Sequence, residues 1–170
     1  MNEQKMIGIR SGGECIRLAA EGILRLNATL ESRGLALTPD EARELAETRQ
    51  KSLTANSRVE LGLGAVEKLI LKFSASGYAA RESWIELLNL ALELFYFVKT
   101  ETRDGVSDVS LIDFMSDSFE KNGGSPELLA ESCERLITRL NCGGIIGDRI
   151  AGQTASDDDN FDGEDNDNDR

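Results

Sequence analysis

The stretch WIELLNLALELFYFV, Trp84 to Val98, decides the fold. Its only polar side chains, Glu86, Asn89 and Glu93, fall at i, i+3 and i+7, on one narrow stripe of a helix. A helix with so little polar surface must be covered by neighbours on most sides. Fifteen residues carrying two carboxylates are too short and too polar to span a membrane. The spacing therefore predicts a central core helix over 84–98.

Start and stop signals place the helices around it. Ile16, Ala19, Ile23, Leu26 and Leu30 recur at helical spacing and predict a first helix ending near Gly34. Met6 to Ile9 reads as a short extended arm before it. In LTPDEARELAETRQKSL, Thr38 is the expected N-cap, Pro39 the first helical residue and Glu41 the partner that closes a capping box. Ala42, Leu45, Ala46 and Leu53 form the stripe of that second helix, with Glu47 and Lys51 paired four apart on the wet side. Val59, Leu61 and Leu63 alternate, which fits an extended entry or part of a turn, before Val66, Leu69, Ile70 and Phe73 resume helical spacing toward a cap at Gly77. Ser107 or Asp108 starts a helix with Leu111, Ile112, Met115 and Phe119 inside, closed by Gly123-Gly124. Ser125-Pro126 opens the last one, lined by Leu129, Cys133, Leu136, Ile137 and Leu140 and ending near Asn141. Ile145, Ile146 and Ile150 offer a further segment that could dock. The expected architecture is all-α: a single irregular bundle of about six helices around 84–98, formed by residues 1–152, with a disordered acidic tail over 153–170.

At 170 residues with 40% apolar content, one domain is the default. The net charge of -12 is uneven: residues 157–170 hold eight carboxylates and one arginine, net -7, leaving -5 for the rest. That field repels phosphate, and no basic stripe offsets it, so nucleic-acid binding is not expected. Basic protein partners remain open, and no feature fixes an oligomeric state. Without a secretory signal or an apolar run of membrane length, the sequence predicts a cytoplasmic protein with no membrane association. Cys15, Cys133 and Cys142 are odd in number and lack C-x-x-C spacing, so they read as buried free thiols rather than a disulfide framework or a zinc site. Asn27-Ala28-Thr29 fits a glycosylation sequon but lies in a helical pattern with no export signal.

Histidine is absent, which removes Ser-His-Asp and Cys-His catalysis and the histidine-containing di-iron sites of helical bundles. Glu86 and Glu93, two turns apart, read as the wet edge of the core helix. Ser118 and Lys121 match S-x-x-K, but the lysine would need burial to take the serine proton, and the pair ends an amphipathic helix. The glycines of ELGLGAVEK and CGGIIGDR lack the phosphate-loop pattern and a preceding strand, and read as turns and caps. Arg58, Glu60 and Lys68 could meet Lys99 and Glu101 at the end of the core helix, as surface ion pairs or a partner patch. No catalytic or cofactor-binding residues are assigned.

The tail has the spacing of a calcium loop. Asp158, Asn160 and Asp162 would supply side-chain oxygens, Glu164 a backbone carbonyl, Asn166 further help and Asp169 the twelfth position, with Gly163 at the sharp turn. Asp169 is shorter than the usual Glu, and Asp165 stands where an apolar anchor is usual. Ten of the thirteen residues from Asp157 to Asp169 are Asp or Asn, so three positions match by composition about half the time. Charge and lack of apolar residues predict disorder instead.

The run from LTPDEARELAETRQKSL through NSRVELG, VEKLI, ELFYFVKTET, DVSLIDFM and GGSPELL resembles a bacterial family catalogued only as a domain of unknown function, over roughly residues 35–130. The resemblance implies a bacterial, cytosolic helical protein and transfers neither an activity nor site residues; the acidic tail lies outside it. Three functions follow as expectations: a non-enzymatic interaction or accessory protein, a protein binding calcium or another hard cation through the tail, and an enzyme using carboxylates, lysine or cysteine in a polar pocket around Glu86, Glu93 or Lys99.

Overall fold

In the computed structural model, residues 12–143 are described. The expectations for Met6 to Ile9, for Ile145, Ile146 and Ile150, and for the tail with Asp158, Asn160, Asp162, Glu164 and Asp169 lie outside them. The described chain is all-helical, with α1 (Gly12–Leu24), α2 (Asn27–Leu30), α3 (Pro39–Ala55), α4 (Gly64–Phe73), α5 (Trp84–Glu101), α6 (Asp108–Lys121) and α7 (Pro126–Asn141). Six of these have ten residues or more, and short 3₁₀ turns stand at Glu31–Arg33 and Arg81–Ser83.

The local chemistry that sets the boundaries is in place. Thr38 caps α3: the Glu41 N–H donates to its hydroxyl at 3.2 Å while the Thr38 N–H donates to the Glu41 carboxylate at 2.7 Å. Burial pushes the Glu41 carboxyl upward, but these hydrogen bonds and Arg81 outweigh it and hold it below its usual range. Ser107, rather than Asp108, caps α6, and Ser125 caps α7 ahead of Pro126. Gly124 adopts φ +77, and a Cβ there would stand 2.4 Å from the Cβ of Tyr78, so only glycine fits where α6 turns into α7.

Two boundaries and one ion pair differ from the sequence reading. The first helix breaks after Leu24 in a turn in which the Arg25 and Leu26 N–H groups bond the carbonyls of Gly22 and Ile23, and the Asn27 side-chain amide accepts from the Leu37 N–H and donates to its carbonyl, both at 2.8 Å. That clamp ties the α1–α2 corner to the connection before α3. Helix α4 stops at Phe73 rather than running to Gly77, with the Ser74 hydroxyl donating to the carbonyl of Leu71. Glu47 pairs back to Arg43 instead of forward to Lys51.

Helix α5 packs against α3, α4, α6 and α7, and α1 packs against α3. Trp84, Leu88, Ala91, Leu92, Phe95, Tyr96 and Val98 on it are buried, while Glu86 and Glu93 are exposed. Asn89, the third polar residue of its stripe, accepts from Thr48 at 2.7 Å and donates to Glu44 at 2.6 Å, stitching α5 to α3. Core burial of this kind contributes about 25 cal/mol per Å² of apolar surface. The packing brings the C-terminal ends of α3 and α5 together.

Candidate functional site: a clamped apolar loop

Both helix ends close in the same way. At the end of α3 the Ser57 N–H bonds the carbonyl of Thr54 at 3.1 Å and the Arg58 N–H that of Leu53 at 2.8 Å. At the end of α5 the Arg103 N–H bonds Thr100 at 3.0 Å and the Asp104 N–H bonds Lys99 at 2.8 Å. These are Schellman closures, which place one residue in the left-handed region and normally use glycine there. Here Ser57 (φ 52), Arg103 (φ 50) and Asp104 (φ 57) occupy it, and they are the three non-glycine residues with positive φ among those described. Each such residue costs roughly 1 kcal/mol, and all three sit in one place.

What holds them is a fork between the two closures. Arg58 Nη1 and Nη2 donate to the two carboxylate oxygens of Asp104 at 3.1 and 2.8 Å, joining residues 46 apart in sequence. Lys99, buried in the last turn of α5 where the helix dipole favours a cation, donates to the Val106 carbonyl at 2.8 Å and pairs with Asp104 at 3.2 Å and Asp108 at 2.9 Å. The Arg58 fork, reinforced by Lys99, holds the Asp104 carboxyl below the usual carboxylate range.

Between α3 and α4 the chain runs through Ser57–Leu63 without regular structure. Arg49, on the inner face of α3 and only 8% exposed, reaches across to this loop and donates to the carbonyls of Gly62 at 2.8 Å and Glu60 at 3.3 Å. Its guanidinium also lies 3.5 Å from the Glu60 carboxylate, which accepts from the Tyr96 hydroxyl at 2.8 Å. Burial, then the adjacent Glu60, push the Tyr96 phenol well up, so it remains a neutral donor. At the far end Leu63 packs over Gly22 of α1, where a Cβ would meet its Cδ1 at 2.3 Å. The loop is thus tied down at Glu60, Gly62 and Leu63.

The two side chains between those ties point away. Val59 is 88% exposed and Leu61 fully so. Beside them lies a cleft of about 680 Å³, bordered by Leu53 and Leu63, by three arginines, Arg25, Arg49 and Arg58, and by two carboxylates, Glu60 and Glu67. Arg49 Nε and Arg58 Nε are buried and without an acceptor among the described residues. An unmatched buried donor costs about 1–3 kcal/mol.

Of the residues singled out from sequence, Arg58 and Lys99 do meet, through Asp104, and Glu60 joins Arg49 and Tyr96; Lys68 instead borders a separate groove with Leu71, Val109 and Ile112. Glu86 and Glu93 stay exposed and Lys121 is exposed. Among the described residues no group of three potential metal ligands occurs. Only Cys133 is a buried thiol, pushed up to about 12 by burial, whereas Cys15 and Cys142 are exposed, Cys142 because it follows the last turn of α7. Arg49, Tyr96 and Asp104 were not singled out. Arg49 carried a signal: it falls four after Leu45 and four before Leu53, on the apolar stripe of α3, where a charge requires a partner.

These features define the class of protein as an all-helical domain that presents an ion-clamped apolar loop. The chain belongs to the family described as "Family of unknown function (DUF6323)", which matches residues 22–144. That span includes the loop, both helix closures and every residue of the clamp, and runs past residues 35–130 at both ends. No curated protein and no solved structure matches the chain. No helix among the described residues is long and apolar enough to cross a membrane.

Proposed function

We propose that this chain is a non-enzymatic interaction protein that meets a protein partner through the Ser57–Leu63 loop. The observation that supports this reading is the contrast between the loop's backbone and its side chains. The loop buries neither Val59 nor Leu61 for the monomer, yet its carbonyls are bound by a buried arginine and its entry is fixed by strained residues and a bidentate ion pair. Pre-ordering lowers the entropy lost on association, and the arginines beside the loop are of a residue type enriched at the energetic centres of interfaces.

Photo-crosslinking tests it directly. With a photoreactive residue at Leu61 of the full chain expressed in its own cells, one discrete adduct is expected, absent when the probe stands at the exposed Glu131 of α7 and lost on Arg49→Leu. Failure of the Leu61 probe to form an adduct, or adducts of equal yield from both positions, removes the reading.

A further inference from the structure

Between α4 and α6 lies an apolar groove of about 460 Å³, lined by Leu71, Ala75, Val109 and Ile112. It shares no residue with the cleft beside the Val59–Leu61 loop. Ile112 is buried beneath it, whereas Val109 is 52% exposed. The two helices run in the same direction: Lys68 borders the groove with Val109, Lys72 meets Asp113 at 2.6 Å one turn on, and Phe73 packs on Phe119. Charge divides between the two rims. On the α4 side stand Lys68 and Lys72, and Arg33 is fastened beside them by donating to the Leu71 carbonyl at 3.3 Å and the Ser74 hydroxyl at 2.5 Å. On α6 stand Asp113, Asp117 and Glu120, at i, i+4 and i+7 of one stripe, against a single cation of that helix, Lys121. Lys72 and Asp113 already satisfy each other within the chain, Asp108 is paired with Lys99, and Glu67, the one acid of α4, borders the other cleft. That leaves Arg33 and Lys68 on one rim, and Asp117 and Glu120 on the other, without an ion-pair partner among the described residues.

A face with one basic rim, one acidic rim and an apolar seam between them is complementary to itself. We propose that this face joins two copies of the chain. A two-fold axis along the groove lays α4 of each copy over α6 of the other, basic rim on acidic, and closes Leu71, Ala75 and Val109 of both copies over one another. An axis across the groove would lay α4 on α4 and α6 on α6, like charge on like, so the rims select the first arrangement. Helices α4 and α6 are about 15 and 21 Å long, so the face is at the small end for a stable dimer and association in about the micromolar range is expected. The dimer goes beyond the docking reading of the loop and stands without it. Its consequence is that one particle displays two Val59–Leu61 loops, which strengthens binding to a partner with two matching sites.

Sedimentation velocity of the full chain tests it, with a reductant present so that the exposed Cys15 and Cys142 cannot join copies covalently. The native chain is expected to be dimeric at about 200 μM and to dissociate on dilution to about 1 μM. Val109→Glu sets a charge in the seam and is expected to weaken the dimer by about 10-fold or more. Two further variants reverse one rim each: Arg33→Glu with Lys68→Glu, and Asp117→Lys with Glu120→Lys. Each alone brings like charges together and is expected to be monomeric at the higher concentration. Mixed in equal amounts they are expected to form the dimer again, because every rim then faces one of opposite sign. Circular dichroism and thermal melts establish that each variant is folded. A native chain that stays monomeric at the higher concentration overturns the proposal. A dimer whose dissociation constant is unmoved by Val109→Glu also overturns it, since another face then joins the copies. Failure of the two folded rim variants to associate on mixing does the same.

Discussion

Replacing Arg49 by leucine probes the clamp at its most buried member. The substitution removes two charge-assisted hydrogen bonds to loop carbonyls, each contributing about 1.5–3 kcal/mol, and leaves Glu60 with Tyr96 alone. Three effects reduce the loss. The carbonyls of Glu60 and Gly62 lie in a loop that water can reach, the unmatched Arg49 Nε disappears, and leucine adds apolar burial. The Glu60 side chain is 24% exposed and recovers some hydration, which keeps the cost below the roughly 3–5 kcal/mol of breaking a fully buried pair. The net expectation is a loss of about 2 kcal/mol, or about 4–8 °C in Tm for a chain of this size. Urea denaturation followed by far-UV circular dichroism, with thermal melts alongside, measures it. In a cycle with Glu60→Gln, the two changes together should cost less than their sum by about 1 kcal/mol. A loss under about 0.5 kcal/mol for Arg49→Leu, with additive behaviour, would refute the argument that this arginine pins the loop.

Other outcomes follow from the same geometry. Arg103→Gly, at a left-handed position, should raise stability by about 0.5–1 kcal/mol in the same denaturation assay, relief of strain outweighing the greater freedom of glycine in the unfolded chain. The Asp104 carboxyl is depressed in the folded state, so the stability it contributes is present above its unfolded pKa of about 3.9 and is lost as pH falls through its lower folded value. An NMR titration should therefore place its midpoint below 3.9, and Asp104→Asn should flatten the acid limb of the stability profile. Thiol labelling of the native protein should modify Cys15 and Cys142 and spare Cys133 until the protein unfolds, as counted by intact-mass spectrometry.

The helices were legible because their signals are local. The Thr38-Pro39-Asp40-Glu41 capping box, the Ser125-Pro126 start and the narrow polar stripe of Trp84 to Val98 are each written within one or two turns, where spacing alone fixes which groups meet. The loop was only half legible. The alternation of Val59, Leu61 and Leu63 marked an unusual stretch, but it does not distinguish a strand from a loop whose two outer residues face water and whose third packs on Gly22. The clamp was least legible, since Arg58 and Asp104 stand 46 residues apart and meet only because α3 and α5 end side by side. Ser57 and Arg103 gave no turn signal either, as neither is a residue that favours the left-handed region.

Backbone ¹⁵N relaxation across Arg58–Leu63 tests the central claim most directly, because the account requires an exposed apolar loop that is held still. Order parameters near the rigid value of about 0.85 are predicted for these amides, falling on Arg49→Leu while α3 and α5 stay rigid. Values below about 0.6 in the native protein would contradict the account, showing that Val59 and Leu61 sit on a loose connection rather than a prepared docking site.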